Sequence, residues 1–296
     1  MPLVALHTGD ALATLRSFRA ASVDLVVGSP PYEDARTYGI DFAHREDEWV
    51  RWAADRFMEC LRVSRGIVAW VVAGRTQKFR WTATPPKLMV AIERRGGVLR
   101  NPCIFHRVGI SGSGGPDYFR SDYEWIIVAT NQRRQLPWSD NTACGHPPKY
   151  ALGGEFSYRT ADGRRANEHK IGYKKSIPRA QRKQPKLANP GNVIKCVVGG
   201  GVMGDRYAHK NEAPFPEKLV ERFVRSFCPP DGVVLDPFSG SGTTVKVAVM
   251  HGRNGVGIDI RDSQNDIAHE RLKAWHAKNP SAGLVVRRIR HKETGE

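Results

Sequence analysis

Two short runs in the sequence carry residue types that could act on a ligand: Ser29-Pro30-Pro31-Tyr32, and Asp236-Pro237-Phe238-Ser239-Gly240-Ser241-Gly242-Thr243-Thr244. In the first, Ser29 offers a side-chain oxygen and the Pro30 carbonyl a second acceptor, with Pro30 and Pro31 stiffening the turn. Such a pair suits an exocyclic amine on cytosine or adenine, a poor nucleophile because its lone pair is delocalised into the ring. Accepting both amine protons moves the nitrogen towards tetrahedral geometry and turns its lone pair to an electrophile. Tyr32 adds an aromatic face on which a base taken out of a helix can stack. No Pro-Cys nucleophile stands near the turn, consistent with direct transfer. A Pro-Pro-Tyr turn alone is more often a rigid connector, and its placement at a strand end raises it above that reading.

The second run lies between a strand pattern and a helix pattern. Glycines there let the backbone turn sharply, and amides at a helix start can hold a carboxylate. Asp259 ends the next strand, where an acidic side chain can accept from both ribose hydroxyls of an adenosine. The spacing departs from GxGxxG, and no lysine follows the glycines as in a phosphate-binding Walker loop.

The elements that must position these runs follow from hydrophobic patterning. A strand over 2–7, a helix over 11–19 and an apolar strand over 22–28 lead into Ser29. A helix over 46–63, a strand over 67–73, a helix over 86–94, and strands over 102–108 and 123–129 come next. A helix over 215–227, a strand over 232–236, a helix over 243–251, a strand over 255–260, a helix over 263–277 and a last strand over 283–289 close the chain. Strands alternating with helices predict a parallel sheet covered by helices.

Composition sets the partner class. The 296 residues carry 46 Lys and Arg against 30 Asp and Glu, a net charge of +16, which attracts polyanions. Between Lys149 and Pro190, eleven basic residues face three acidic ones, so half of the excess lies in one stretch. The five cysteines are scattered without a CxxC pair, which suggests neither a disulfide framework nor a metal site. No apolar run approaches a membrane span and the start lacks a signal-peptide pattern, so no membrane association and a cytoplasmic location are expected.

Together the motifs resemble the amino-methyltransferases of DNA, in the β arrangement: SPPY first, the basic region in the middle, DPFSGSGTT last. The resemblance covers roughly 1–130 and 193–275. It implies an α/β, Rossmann-like S-adenosylmethionine-dependent methyltransferase sheet in circularly permuted motif order, with an inserted basic recognition region. The division expected is 1–130 for the catalytic half, 131–192 for target recognition and 193–296 for the cofactor half. By that likeness Ser29, Pro30, Pro31 and Tyr32 are catalytic. The cofactor, S-adenosyl-L-methionine, is expected on Asp10, Pro214, Phe215, Asp236, Phe238, Gly240, Gly242, Thr243 and Asp259. In this family the ribose partner is more often Glu than the Asp found at 259.

Within the insertion, Arg164, Arg165, Lys174, Lys175, Arg179, Arg182 and Lys183 are candidate DNA contacts, phosphate contacts fixing register and bidentate ones reading guanine. The bland reading is a solvated basic loop. Partners implied are double-stranded DNA, a cognate restriction endonuclease and a second copy in a homodimer, in a prokaryotic or phage-derived setting. SPPY usually accompanies cytosine N4 and DPPY adenine N6, so cytosine N4 is favoured, with N6-adenine methylation as the alternative. The alternative of another class is a catalytically inactive DNA-binding protein retaining the fold.

Overall fold

The computed structural model describes residues 1–34, 42–110, 112, 114–148, 157–159, 165–167, 186–198, 204–211 and 215–291. The chain divides into two compact units, Met1–Asp140 with Gly191–Glu296, and Asn141–Pro190.

In the larger unit, chain order runs β1 (Leu3–Thr8), α1 (Ala11–Ser17), β2 (Val23–Gly28), α2 (Glu46–Val63), β3 (Ser64–Val72), a small hairpin of β4 (Thr76–Gln77) and β5 (Arg80–Trp81), and α3 (Thr84–Arg94). Strands β6 (Val98–Leu99), β7 (Cys103–Val108) and β8 (Tyr123–Thr130) follow. The smaller unit contains β9 (Ser157–Arg159) and β10 (Arg165–Asn167), an antiparallel pair with Arg159 opposite Arg165. The larger unit then resumes with β11 (Val193–Val197), α4 (Glu217–Phe227), β12 (Val233–Asp236), α5 (Thr243–Met250), β13 (Asn254–Asp259), α6 (Asp262–Lys278) and β14 (Val285–Arg290).

The main sheet orders its strands β11-β7-β8-β3-β2-β12-β13-β1-β14, with β6 paired to β8. β8 runs against both its neighbours β3 and β7, whereas the pairs from β3 across to β14 are parallel. This is the expected α/β, Rossmann-like sheet.

Both faces of the sheet are buried, which explains the unbroken apolar run in β3. Val68, Trp70 and Val72 enter the core under α2 and α3 with Trp49, Phe57 and Leu88. Ile67, Ala69 and Val71 point the other way, into the core with Leu219, Phe223 and Val224 of α4. A strand solvated on one face would have alternated with polar residues.

The expected elements are present with shifted ends, and two of the shifts have a visible cause. α3 starts at Thr84, because Pro85 and Pro86 fit a first helical turn whose amides need no partner. β3 begins at Ser64, directly after the α2 C-terminus, so no loop separates them. Strand β11 is an addition to the expected elements. It alternates exposed Val193, Lys195 and Val197 with buried Ile194 and Cys196, and it completes the sheet beside β7.

Candidate active site

β2 and β12 are parallel neighbours, with Leu25 opposite Val234 and Val26 opposite Leu235. Their carboxyl ends therefore open on the same edge, one releasing Ser29-Pro30-Pro31-Tyr32 and the other the glycine turn. From this central pair the chain winds outward in both directions, through β3 on one side and β13 on the other, so a crevice forms between the two turns. Gly28 permits the approach: a Cβ there would lie 2.6 Å from Oδ1 of Asp236. β1 and β13 pair with Thr8 opposite Asp259, which brings Asp10 to that edge too.

The crevice is a cavity of about 750 Å³. Ser29, Pro31 and Tyr32 line it, as do Asp10, Phe215, Asp236, Phe238, Gly240, Thr243 and Asp259. Pro30 is buried in its turn and Gly242 leads into α5, neither on the cavity wall. Pro214 lies outside the described residues, as do Arg164, Lys174, Lys175, Arg179, Arg182 and Lys183. Arg165 begins β10.

At the first turn, the Ser29 hydroxyl donates to the Val71 carbonyl at 3.1 Å and stands 3.4 Å from the Tyr32 oxygen. The Tyr32 hydroxyl donates to Oε2 of Glu124 at 2.7 Å, and Arg107 pairs with Oε1 of Glu124 at 3.0 Å. Trp49 donates to the Pro31 carbonyl at 2.8 Å, tying the turn to α2. Burial raises the Glu124 carboxyl above its ordinary range, opposed by the Arg107 charge and the Tyr32 hydrogen bond.

At the second turn, the Asp236 carboxylate accepts from the Phe238 amide at 2.9 Å and the Thr244 hydroxyl at 2.6 Å. Burial pushes Asp236 up to about 7 despite these two bonds. Asp259 accepts from the Gly240 and Arg261 amides, each at 2.9 Å, and burial raises it as well, against the Arg261 interactions. Gly242 has φ +76°, a left-handed conformation that favours glycine, and a Cβ on it would meet Cβ of Ala268 in α6 at 2.7 Å.

Behind the turn, fully buried Arg271 donates to the Ser241 carbonyl at 3.2 Å and to the Thr243 hydroxyl at 2.8 Å. It also pairs with Asp205 and Glu217, which Lys246 bonds from α5 at 2.8 Å each. At the far end, Asp10 caps α1 through the Ala13 amide at 2.9 Å and pairs with Arg56 at 2.9 Å, whose guanidinium covers the Trp52 ring. Burial works to raise the Asp10 carboxyl, but the Ala13 amide and Arg56 outweigh it and leave it lowered. Phe238 packs between Trp52 and Trp70, with ring centroids 5.9 and 5.2 Å away.

This wall fits an adenosine carrying a cationic tail. Asp10 and Asp259 stand on one stretch of it, with aromatic rings beside them, and Asp236 adds a buried carboxyl that a cation would favour in its ionised form. The Ser239 hydroxyl is buried without a hydrogen-bond partner and lines the same cavity, a donor available to a ligand.

Several lining residues were not among the site residues expected from sequence: Trp52, Arg56, Arg107, Glu124 and Arg261, together with Ser239, which was read only as part of the glycine run. A signal existed for two of them, since Arg107 and Glu124 are charges inside apolar strand runs. Trp52 read only as part of the apolar face of a helix.

A family model described as DNA methylase, of the N6/N4 methyltransferase type, matches residues 23–270. The orphan methyltransferase M.BamHII of Bacillus amyloliquefaciens is 29% identical over 266 residues, covering 86% of this chain and 90% of that protein. The DNA adenine methyltransferase YhdJ of Escherichia coli K12 is 26% identical over 288 residues, covering 97% and 87%. Among solved structures, the Thermus thermophilus protein TTHA0409 in complex with S-adenosyl-L-methionine is similar with a TM-score of 0.57 at 25% identity, covering 96% of this chain and 99% of that one.

Proposed function

The chain belongs to the N6/N4 family of DNA methylases, and on that premise we propose that it transfers a methyl group to N4 of a cytosine flipped out of double-stranded DNA. The general activity, S-adenosylmethionine-dependent methylation of an exocyclic amine in DNA, is that of the family. The observation that carries the choice of base is Ser29, a neutral acceptor at the cavity wall where adenine-directed relatives of the motif usually place aspartate. Its single hydrogen goes to the Val71 carbonyl at 3.1 Å, leaving lone pairs for a substrate amine. We assign the second acceptor to the Pro30 carbonyl, between two residues that both line the cavity.

When bound, S-adenosyl-L-methionine supplies an electrophilic methyl group on a positively charged sulfur. Asp10 and Asp259 would orient its adenosine, Phe238 would pack against it, and Asp236, Thr243 and Phe215 would take its amino-acid end. The chain's own work is to accept two amine protons, stack the base on Tyr32 and keep water from the crevice. We assign 1–130 to catalysis, 193–296 to the cofactor and 131–192 to target recognition, with the basic residues of Lys149 to Pro190 on phosphates.

Nucleoside mass spectrometry of DNA from cells expressing the chain tests the base. N4-methylcytosine is expected; N6-methyladenine in its place would assign the adenine reaction, and no modified base would favour a DNA-binding protein that has lost catalysis. A cognate restriction endonuclease and a homodimer belong to the same proposal, tested by protection of methylated DNA from cleavage and by sedimentation.

A further inference from the structure

The Ser29 oxygen has two lone pairs, and any protein group that donates to it takes one of them and competes with a substrate amine for the acceptor. Tyr32 stands three residues on with a hydroxyl 3.4 Å from that oxygen, so the direction in which this hydroxyl points matters. In the structure it points away, because the Glu124 carboxylate takes its hydrogen at 2.7 Å. Glu124 in turn is held from the far side by Arg107 at 3.0 Å. A carboxylate has only acceptors, so the bond has one polarity: Tyr32 donates and Glu124 receives. Glu124 sits near the start of β8, the strand that runs against its neighbours, so its side chain reaches the catalytic edge from across the sheet.

We propose that Glu124 is a positioning residue that fixes the polarity of the Ser29 oxygen by drawing the Tyr32 hydrogen away from it. The inference rests on the amine-methyltransferase reading above and deepens it. Glu124 does not touch the reacting atoms. It decides whether Ser29 meets the substrate with both lone pairs open or with one already taken by Tyr32. Arg107 supports this by holding the carboxylate in place.

Glu124→Gln reverses the bond while keeping the shape. The amide oxygen must face Arg107, which has only donors, so the amide NH₂ faces Tyr32 and donates to it. The Tyr32 hydrogen then needs another acceptor, and the Ser29 oxygen at 3.4 Å is within reach. The competing bond should slow methyl transfer roughly 10- to 100-fold in a single turnover, the effect of one misdirected buried hydrogen bond. Affinity for S-adenosyl-L-methionine should stay within about twofold of the unmodified chain, because the glycine turn is untouched.

Two comparisons separate polarity from packing. Adding Tyr32→Phe to Glu124→Gln removes the offending hydrogen and should recover most of the lost rate. Glu124→Asp shortens the side chain but keeps an acceptor, so it should retain more activity than the isosteric Glu124→Gln. The measurement is single-turnover transfer of labelled methyl from S-adenosyl-L-methionine to duplex DNA. If the double variant is no faster than Glu124→Gln, or if Glu124→Asp is the slower of the single variants, the polarity role is overturned and Glu124 is a packing residue. If the unmodified chain transfers no methyl group to DNA, the functional reading itself fails, a result distinct from either variant outcome.

Discussion

At the scale of single residues, the site works by assigning each hydrogen to one acceptor. Ser29 gives its own to Val71 and so presents an oxygen to the cavity. Ser29→Ala should lower methyl transfer about 100-fold, the usual effect of deleting one preorganised hydrogen-bonding group, and leave cofactor affinity nearly unchanged. Single-turnover rates beside calorimetric titration of the cofactor test this, and equal loss in both would remove Ser29 from the chemistry. Asp236 gives a pH prediction. Burial raises its carboxyl from 3.8 to about 7, so the neutral form stabilises the ligand-free fold. That contribution is fully present below the ordinary value and lost as pH rises through about 7. A cationic cofactor favours the ionised form, so its affinity should rise with pH across the same window. Calorimetry from acid to mildly alkaline pH should show this rise, and Asp236→Asn should flatten it.

At the scale of elements, the glycine turn is held from behind as well as shaped from within. Arg271 on α6 reaches the Ser241 carbonyl and the Thr243 hydroxyl, and its charge is balanced by Asp205 and Glu217. Asp205 answers with a carboxyl lowered to about 2, burial being outweighed by Lys246 and Arg271. Arg271→Ala would leave two carboxylates short of a partner and should cost about 3–5 kcal/mol, measurable by urea denaturation. It should weaken cofactor binding as well, because α5 and the turn lose their common anchor. Gly242→Ala combines a left-handed backbone with a 2.7 Å approach to Ala268 and should cost roughly 1–3 kcal/mol, with loss of cofactor binding. None of the Arg271 network was legible in advance. Its members lie at 205, 217, 246 and 271, and no local pattern links residues whose only relation is a shared pocket of charge.

At the scale of the molecule, the charge distribution bears on how DNA is held. The stretch from Lys149 to Pro190 carries half of the +16 excess. Replacing Arg164, Arg165, Lys174 and Lys175 by glutamine should weaken duplex binding at low salt and reduce the slope of log affinity against log salt by about 0.9 for each phosphate no longer neutralised. An unchanged slope would take these residues out of the interface. The larger unit was legible as far as local patterning reaches: the apolar runs of β2, β3, β12 and β13 and both chemical turns at strand ends followed from sequence alone. Periodicity and turn chemistry are local, so the chain writes them in order. Which turn faces which was decided by sheet order, since pairing β2 with β12 joins segments about 200 residues apart in the chain. The same holds for Glu124, a lone charge in a strand until β8 carries it to Tyr32. Hydrogen-bond polarity and buried charge depend on neighbours distant in sequence, and only the folded chain supplies them.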